Sequence, residues 1–226
     1  MCFSATASFT AAAVLLPLGV YCVKETISWN KSLIPFSLYP LIFAIQQIIE
    51  GLIWQSLEND MDAHLPVYGF LFFSHLFWLF WVPFSVWVLE NDQRKKKLLF
   101  YCMLSGLGFG LSLTIPFFLN NDWFSVSIVN HSINYETTLI YDAFIPREFV
   151  QFIYTLIVIL PLLFSSLKMI QIFGLMMFMS MLVASYYFNY TFISVWCYFS
   201  AVLSSYLFIM LNRSKAAALN KAAIVN

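Results

Sequence analysis

Charge is what this sequence has least of. Asp, Glu, Lys and Arg make up 10% of its 226 residues, against about 25% in ordinary globular chains. Residues of the set AVILMFWYC make up 62%, and the mean hydropathy is +0.82. So few charges cannot cover a protein surface in water, so a water-soluble domain is excluded. Lipid must do part of the covering, and membrane lipids are the first expected partners. The 11 basic and 11 acidic residues cancel, leaving no overall field to attract nucleic acid. The four cysteines, Cys2, Cys22, Cys102 and Cys197, have no paired spacing. That excludes a disulfide framework and a Cys-x-x-Cys metal knuckle.

Histidine is scarcer still. His64, His75 and His131 lie far apart in sequence, so the multi-histidine zinc site of alkaline ceramidases and adiponectin-receptor-like hydrolases cannot be assembled. No metal site is expected. The last apolar stretch, Thr191 to Leu211, contains no lysine, which excludes a retinal Schiff base. Gly110-Leu111-Ser112 with His75 is too generic a pattern to support a rhomboid-type serine protease. No basic residue precedes Lys24, so the beginning lacks the charged region of a cleaved signal peptide. It is read as a retained first span.

What the chain does have is length of apolar run. A bilayer core about 30 Å thick takes about 20 helical residues to cross. Seven stretches qualify: Ala5 to Val23, Ile34 to Leu57, Pro66 to Leu89, Leu98 to Leu119, Ile145 to Leu167, Met169 to Phe188, and Thr191 to Leu211. Lys168 and Asn189-Tyr190 are expected to form tight turns between the last three. The expectation is an all-α, polytopic bundle of seven transmembrane helices over residues 1–213. A basic tail follows over 214–226, as a helix end or a disordered terminus. Gly106, Gly108 and Gly110 in the fourth span permit close helix approach.

Lys and Arg in short loops stay cytoplasmic. With seven spans, Lys24, Lys31, Arg94 to Lys97, Lys168, Arg213, Lys215 and Lys221 share one side, and Arg147 is alone opposite. This predicts the N-terminus outside, the C-terminus cytoplasmic, and a multi-pass protein of the cell membrane. The run Arg94 to Lys97 also suits anionic lipid. The outer loop over 120–144 contains β-branched residues around Asn-His-Ser, which suggest a short hairpin able to lid the bundle.

Polar groups at membrane depth cost at least about 2.5–3.5 kcal/mol when ionisable, so they turn towards the protein interior. Gln46, Gln47, Glu50 and Trp54 form one stripe on the second span. Ser74, His75, Trp78, Trp81 and Ser85 form another on the third. At about 1.5 Å per residue, Glu50 lies about 10 Å and His75 about 13 Å from the outer ends of their spans. A Glu50–His75 hydrogen bond is therefore expected between neighbouring antiparallel helices. Arg147, Glu148, Gln151, Tyr186, Tyr187, Trp196 and Ser200 enter the same outer half and are expected to line one outward-facing cavity.

Three readings compete. The first is an outward-facing polar pocket that binds or moves a small ligand or lipid headgroup. Gln46, Gln47, Glu50, His75, Arg147 and Glu148 would supply polar contacts, and Trp54, Trp78 and Trp196 the apolar walls. The second is an intramembrane lipid hydrolase or acyl transferase with Cys2, His75 and Glu50 as candidate catalytic groups. There, loss of Met1 would expose the Cys2 thiol and α-amine together. The third is a scaffold with no ligand. Seven spans support all three.

The opening Met1-Cys2-Phe3-Ser4-Ala5, with Ala7-Ser8-Phe9, and the second-span run Gln46-Gln47 then Glu50-Gly51 and Trp54 resemble an uncharacterised family of seven-span membrane proteins. Its members begin Met-Cys-Phe-Ser and carry Gln-Gln-x-x-Glu-Gly in the second span. The resemblance implies seven crossings and points to Cys2, Ser4, Gln46 and Glu50. It implies no activity or cofactor.

Overall fold

A computed structural model describes residues 4–225, with Asn121, Asn189 and 217–225 described by backbone alone. Seven helical segments are long and apolar enough to cross a membrane. The first is α1 (Ala5–Trp29), whose N-cap Ser4 accepts a hydrogen bond from the Ala7 N–H. The second joins a 3-10 turn, the short α2 (Ile34–Ser37) and α3 (Tyr39–Glu58). The third is α4 (His64–Phe72), a π-helical turn over Phe73–Phe77, and α5 (Trp78–Leu89). Then come α6 (Gln93–Leu119), α7 (Arg147–Phe164), α8 (Lys168–Tyr187), and the broken pair α9 (Phe192–Ser204) and α10 (Tyr206–Val225).

One boundary differs from the sequence expectation. Lys168 starts α8 rather than forming the turn before it. The chain reverses at Ser165–Leu167, where the Ser165 hydroxyl accepts from the Leu167 N–H. The backbone of the tail stays helical as part of α10.

Small residues set the closest approaches. A Cβ at Gly19 would come within 2.6 Å of the Leu41 nitrogen, and one at Gly51 within 2.6 Å of the Phe9 ring. These two contacts hold α1 antiparallel against α3 in a single register. On α6, Gly106 and Gly110 lie against the backbone of Leu79 and Leu76, whereas Gly108 has nothing within 4 Å. The expected packing role therefore holds for two of the three glycines. Gly108 falls on the other face because it is two residues, about 200°, away from each.

Between α6 and α7 lies an antiparallel hairpin of β1 (Phe124–Val129) and β2 (Ser132–Thr137). Asn130 and His131 join the strands with φ of 50° and 57°, the two positive angles of the turn that matches strand twist. Ile133, Tyr135 and Thr137 of β2 are all buried, and Tyr135 stacks on Phe70 of α4 at 4.5 Å. The hairpin thus closes one end of the bundle. Histidine tolerates the left-handed region poorly compared with glycine. His131→Gly should raise the thermal midpoint and protect the hairpin from proteolysis, by about 0.5–1 kcal/mol.

Candidate functional site

The two polar stripes on the second and third segments do meet, but not where depth alone would join them. The Tyr39 and Ser85 hydroxyls share a hydrogen bond of 2.8 Å, and Trp78 Nε1 donates to Gln46 Oε1, also at 2.8 Å. Seven residues separate the two bonds on each helix, so α3 and α5 run antiparallel in one fixed register. Continued four residues further, that register sets Glu50 level with Ser74, beside His75.

Level is shared; direction is not. Glu50 accepts from Gln47 Nε2 at 2.8 Å and from Ser194 Oγ of α9 at 2.5 Å. His75 Nδ1 bonds instead to Ser74 Oγ at 2.9 Å, and its ring meets Phe117 edge-on. The expected Glu50–His75 bond is therefore not formed. The cause is the π-helical turn over Phe73–Phe77. Its wider i→i+5 pattern advances each residue by less than the α-helical angle of about 100°, so His75 turns away from the stripe that carries Trp78 and faces α6 and α7. The Ser74 carbonyl in this turn accepts from the Tyr154 hydroxyl of α7 at 2.6 Å.

His75 lines a cavity of about 100 Å³ beside this turn. Its wall is largely apolar, with Leu113 from α6, Val150 and Tyr154 from α7, and Phe192, Ile193 and Trp196 from α9. Polar groups stand at two positions: Ser74 with His75, and Arg147 with Thr137 and Gln151. Because Nδ1 is tied to Ser74, Nε2 is the imidazole nitrogen left for a guest. An adjoining cleft of about 270 Å³ shares Thr137, Arg147, Gln151, Phe192 and Ile193, and adds Glu148 and the strand β2. The Arg147 guanidinium donates to both Asp142 oxygens, at 3.1 and 2.7 Å, and to the Thr137 carbonyl. It is tied to Asp142, not to its neighbour Glu148, and remains half exposed.

The other residues expected in this site are dispersed around it. Gln46, Gln47, Glu50 and Trp54 are buried but are absent from the wall of this cavity. Trp78 stacks on Phe43 at 4.1 Å and borders a narrow apolar gap that also touches Trp196, Cys197 and Ser200. Tyr186 and Tyr187 are exposed at 81% and 70%, so they line no interior surface. Cys2 lies outside the described residues. Sequence reasoning missed Ser194, Tyr135, Tyr154 and Cys197. A serine and a cysteine are unremarkable in an apolar helix, and no spacing rule marks a loop tyrosine that folds back into a bundle.

A family profile matches residues 1–222. The chain belongs to the family of unknown function DUF6629. The resemblance read from Met-Cys-Phe-Ser and Gln-Gln-x-x-Glu-Gly thus extends over nearly the whole chain. Comparisons with curated proteins and with solved structures found no match. Membership agrees with the seven apolar helices and assigns no chemistry to Glu50, His75 or Arg147.

Proposed function

We propose that this member of DUF6629 is a multi-pass cell-membrane protein that binds, and presents or moves, a small amphiphile with an anionic head at the hairpin end of the bundle. The observation that supports it is the cavity between the π-helical turn, α7 and α9. It combines an apolar wall of Leu113, Val150, Phe192 and Trp196 with a half-exposed guanidinium at Arg147. Ligand sites have this make-up: mostly apolar lining, with few polar groups that fix orientation. The head would displace Asp142 from Arg147, which holds carboxylate and phosphate with the same forked geometry. The tail would run along Phe192 and Trp196 towards His75.

The π-helical turn supports the same reading, since such turns recur at functional sites. The excess of basic residues at the opposite end of the bundle favours an orientation with the hairpin outside.

The test uses detergent-solubilised full-length protein and a dansyl-labelled medium-chain fatty acid, with energy transfer from tryptophan as the readout. Saturable transfer is expected, because Trp196 lines the cavity. Val150→Phe, which fills the cavity, should abolish it. Arg147→Gln should weaken it about tenfold, the worth of a charge-assisted bond. Absence of saturable transfer, or equal affinity in both variants, would overturn the reading.

A further inference from the structure

We propose that Glu50 anchors a second site, separate from the cavity, for a small monovalent cation held beneath the β-hairpin. The argument begins with missing charge. Glu50 is 2% exposed and lies within the second of the segments apolar enough to span a membrane. Among the described residues the ion pairs are Arg147–Asp142 and Lys215–Glu25, and neither reaches Glu50. A carboxylate without a counter-charge in hydrocarbon surroundings is costly unless something positive joins it.

Spare acceptors point the same way. Glu50 takes one hydrogen bond on each oxygen, from Gln47 and from Ser194. Lone pairs therefore remain, since each carboxylate oxygen can take two. Gln47 turns its N–H towards Glu50 and leaves its own Oε1 fully buried with no partner. The Tyr135 hydroxyl, carried in by β2, is also buried and unpartnered. It lies within the field of the Glu50 carboxylate, which adds to burial in raising the phenol well above its ordinary range. Such buried acceptors are normally satisfied.

The buried Gln46 Nε2 and Trp196 Nε1 also lack hydrogen-bond partners, but both are donors and cannot hold a cation. One carboxylate with neutral oxygens is a hard, singly charged donor set. It suits a proton or an alkali ion and not a transition metal, and the described residues contain no cluster of three His, Cys, Asp or Glu side chains. Phe70 of α4 stacks on the Tyr135 ring and fixes its position.

The experiment follows thermal unfolding of purified full-length protein by tryptophan fluorescence. Sodium, lithium, potassium and choline chlorides are compared at equal ionic strength, from mildly acid to mildly alkaline pH. The titratable groups sharing Glu50's field are Tyr135 from β2 and Cys197 from α9. Ser194 is its α9 hydrogen-bond partner, and α1 brings the Phe9 ring against Gly51.

If an alkali ion fills the site, the midpoint rises saturably with that ion relative to choline. The rise is lost in Glu50→Gln, and half-saturation weakens about fivefold in Tyr135→Phe, the value of one hydrogen bond. If a proton fills it, the midpoint instead rises on acidification whatever the salt, and that component is lost in Glu50→Gln. A wild-type midpoint indifferent to both salt and pH, or a dependence that survives in Glu50→Gln, would overturn the proposal. Should Glu50→Gln not fold, an unaltered dependence in both Tyr135→Phe and Gln47→Leu would overturn it equally.

Discussion

Gly106→Ala should lower the thermal midpoint steeply, and Gly106→Leu should prevent folding, while Gly108→Ala leaves the midpoint where it is. A Cβ built on Gly106 falls 2.1 Å from the Leu79 carbonyl oxygen and 2.9 Å from its carbon. Those are backbone atoms of α5, and no rotamer change can move them aside. The two helices would have to separate, and the separation would propagate to Gly110, where a Cβ already meets the Leu76 Cα at 2.9 Å. Overpacking in a core costs typically 1–3 kcal/mol when side chains can yield. Here the obstacle is a main chain, so about 3 kcal/mol or more is expected for alanine. Gly108, with nothing within 4 Å of its Cβ, is the internal control. Because Ala is the better helix former by about 0.8–1.0 kcal/mol, a small gain there would also fit. The measurement is tryptophan fluorescence against temperature in one detergent for all four proteins.

The same helix pair shows what the sequence can and cannot reveal. Apolar run lengths mark the seven segments because a membrane-spanning helix must be long and nearly free of charge, a one-dimensional property. Glu50 and Gln47 stand out as buried groups for the same reason, and both are buried. Their level relative to the third segment is also legible, since rise per residue is nearly constant. Azimuth is not. A single π-helical turn over Phe73–Phe77 changes which neighbour His75 faces, and Phe-Ser-His-Leu-Phe carries no residue that announces it. Likewise, the three alternating glycines of α6 look equivalent in sequence, yet helical phase gives two of them a partner and leaves the third open. Tyr135 illustrates the remaining gap. Its stacking on Phe70 depends on a hairpin folding back over the bundle, a contact between residues 65 positions apart that no local pattern encodes.

At the opposite end of the bundle, Glu90→Ala should destabilise the protein by about 2–3 kcal/mol, with the wild type losing the same contribution in acid. Glu90 is 2% exposed and accepts from the N–H groups of Asn91 and Asp92, each at 3.0 Å, and of Ser166 at 2.9 Å. It therefore ties the end of α5 to the turn between α7 and α8, two points 76 residues apart. Truncation strands three main-chain donors. Hydrogen bonds to a charged acceptor are worth about 1.5–3 kcal/mol each, and the exposure of Asn91, Asp92 and Ser166 lets water recover part of that. Burial pushes the Glu90 carboxyl up. The N–H groups of Asp92, Ser166 and Asn91, with the Ser166 hydroxyl, outweigh it and hold the group below the ordinary carboxylate range. Its pKa is thus lower in the folded than in the unfolded chain. The stabilisation is complete above the ordinary carboxylate value and drains away as pH falls through the lower, folded one. Glu90→Gln keeps one acceptor oxygen and removes the titration, so its midpoint should lie between those of wild type and Glu90→Ala near neutrality and converge with wild type in acid. A wild type and a Glu90→Gln variant that decline in parallel on acidification would show that this link between α5 and α8 carries no charge-dependent stability.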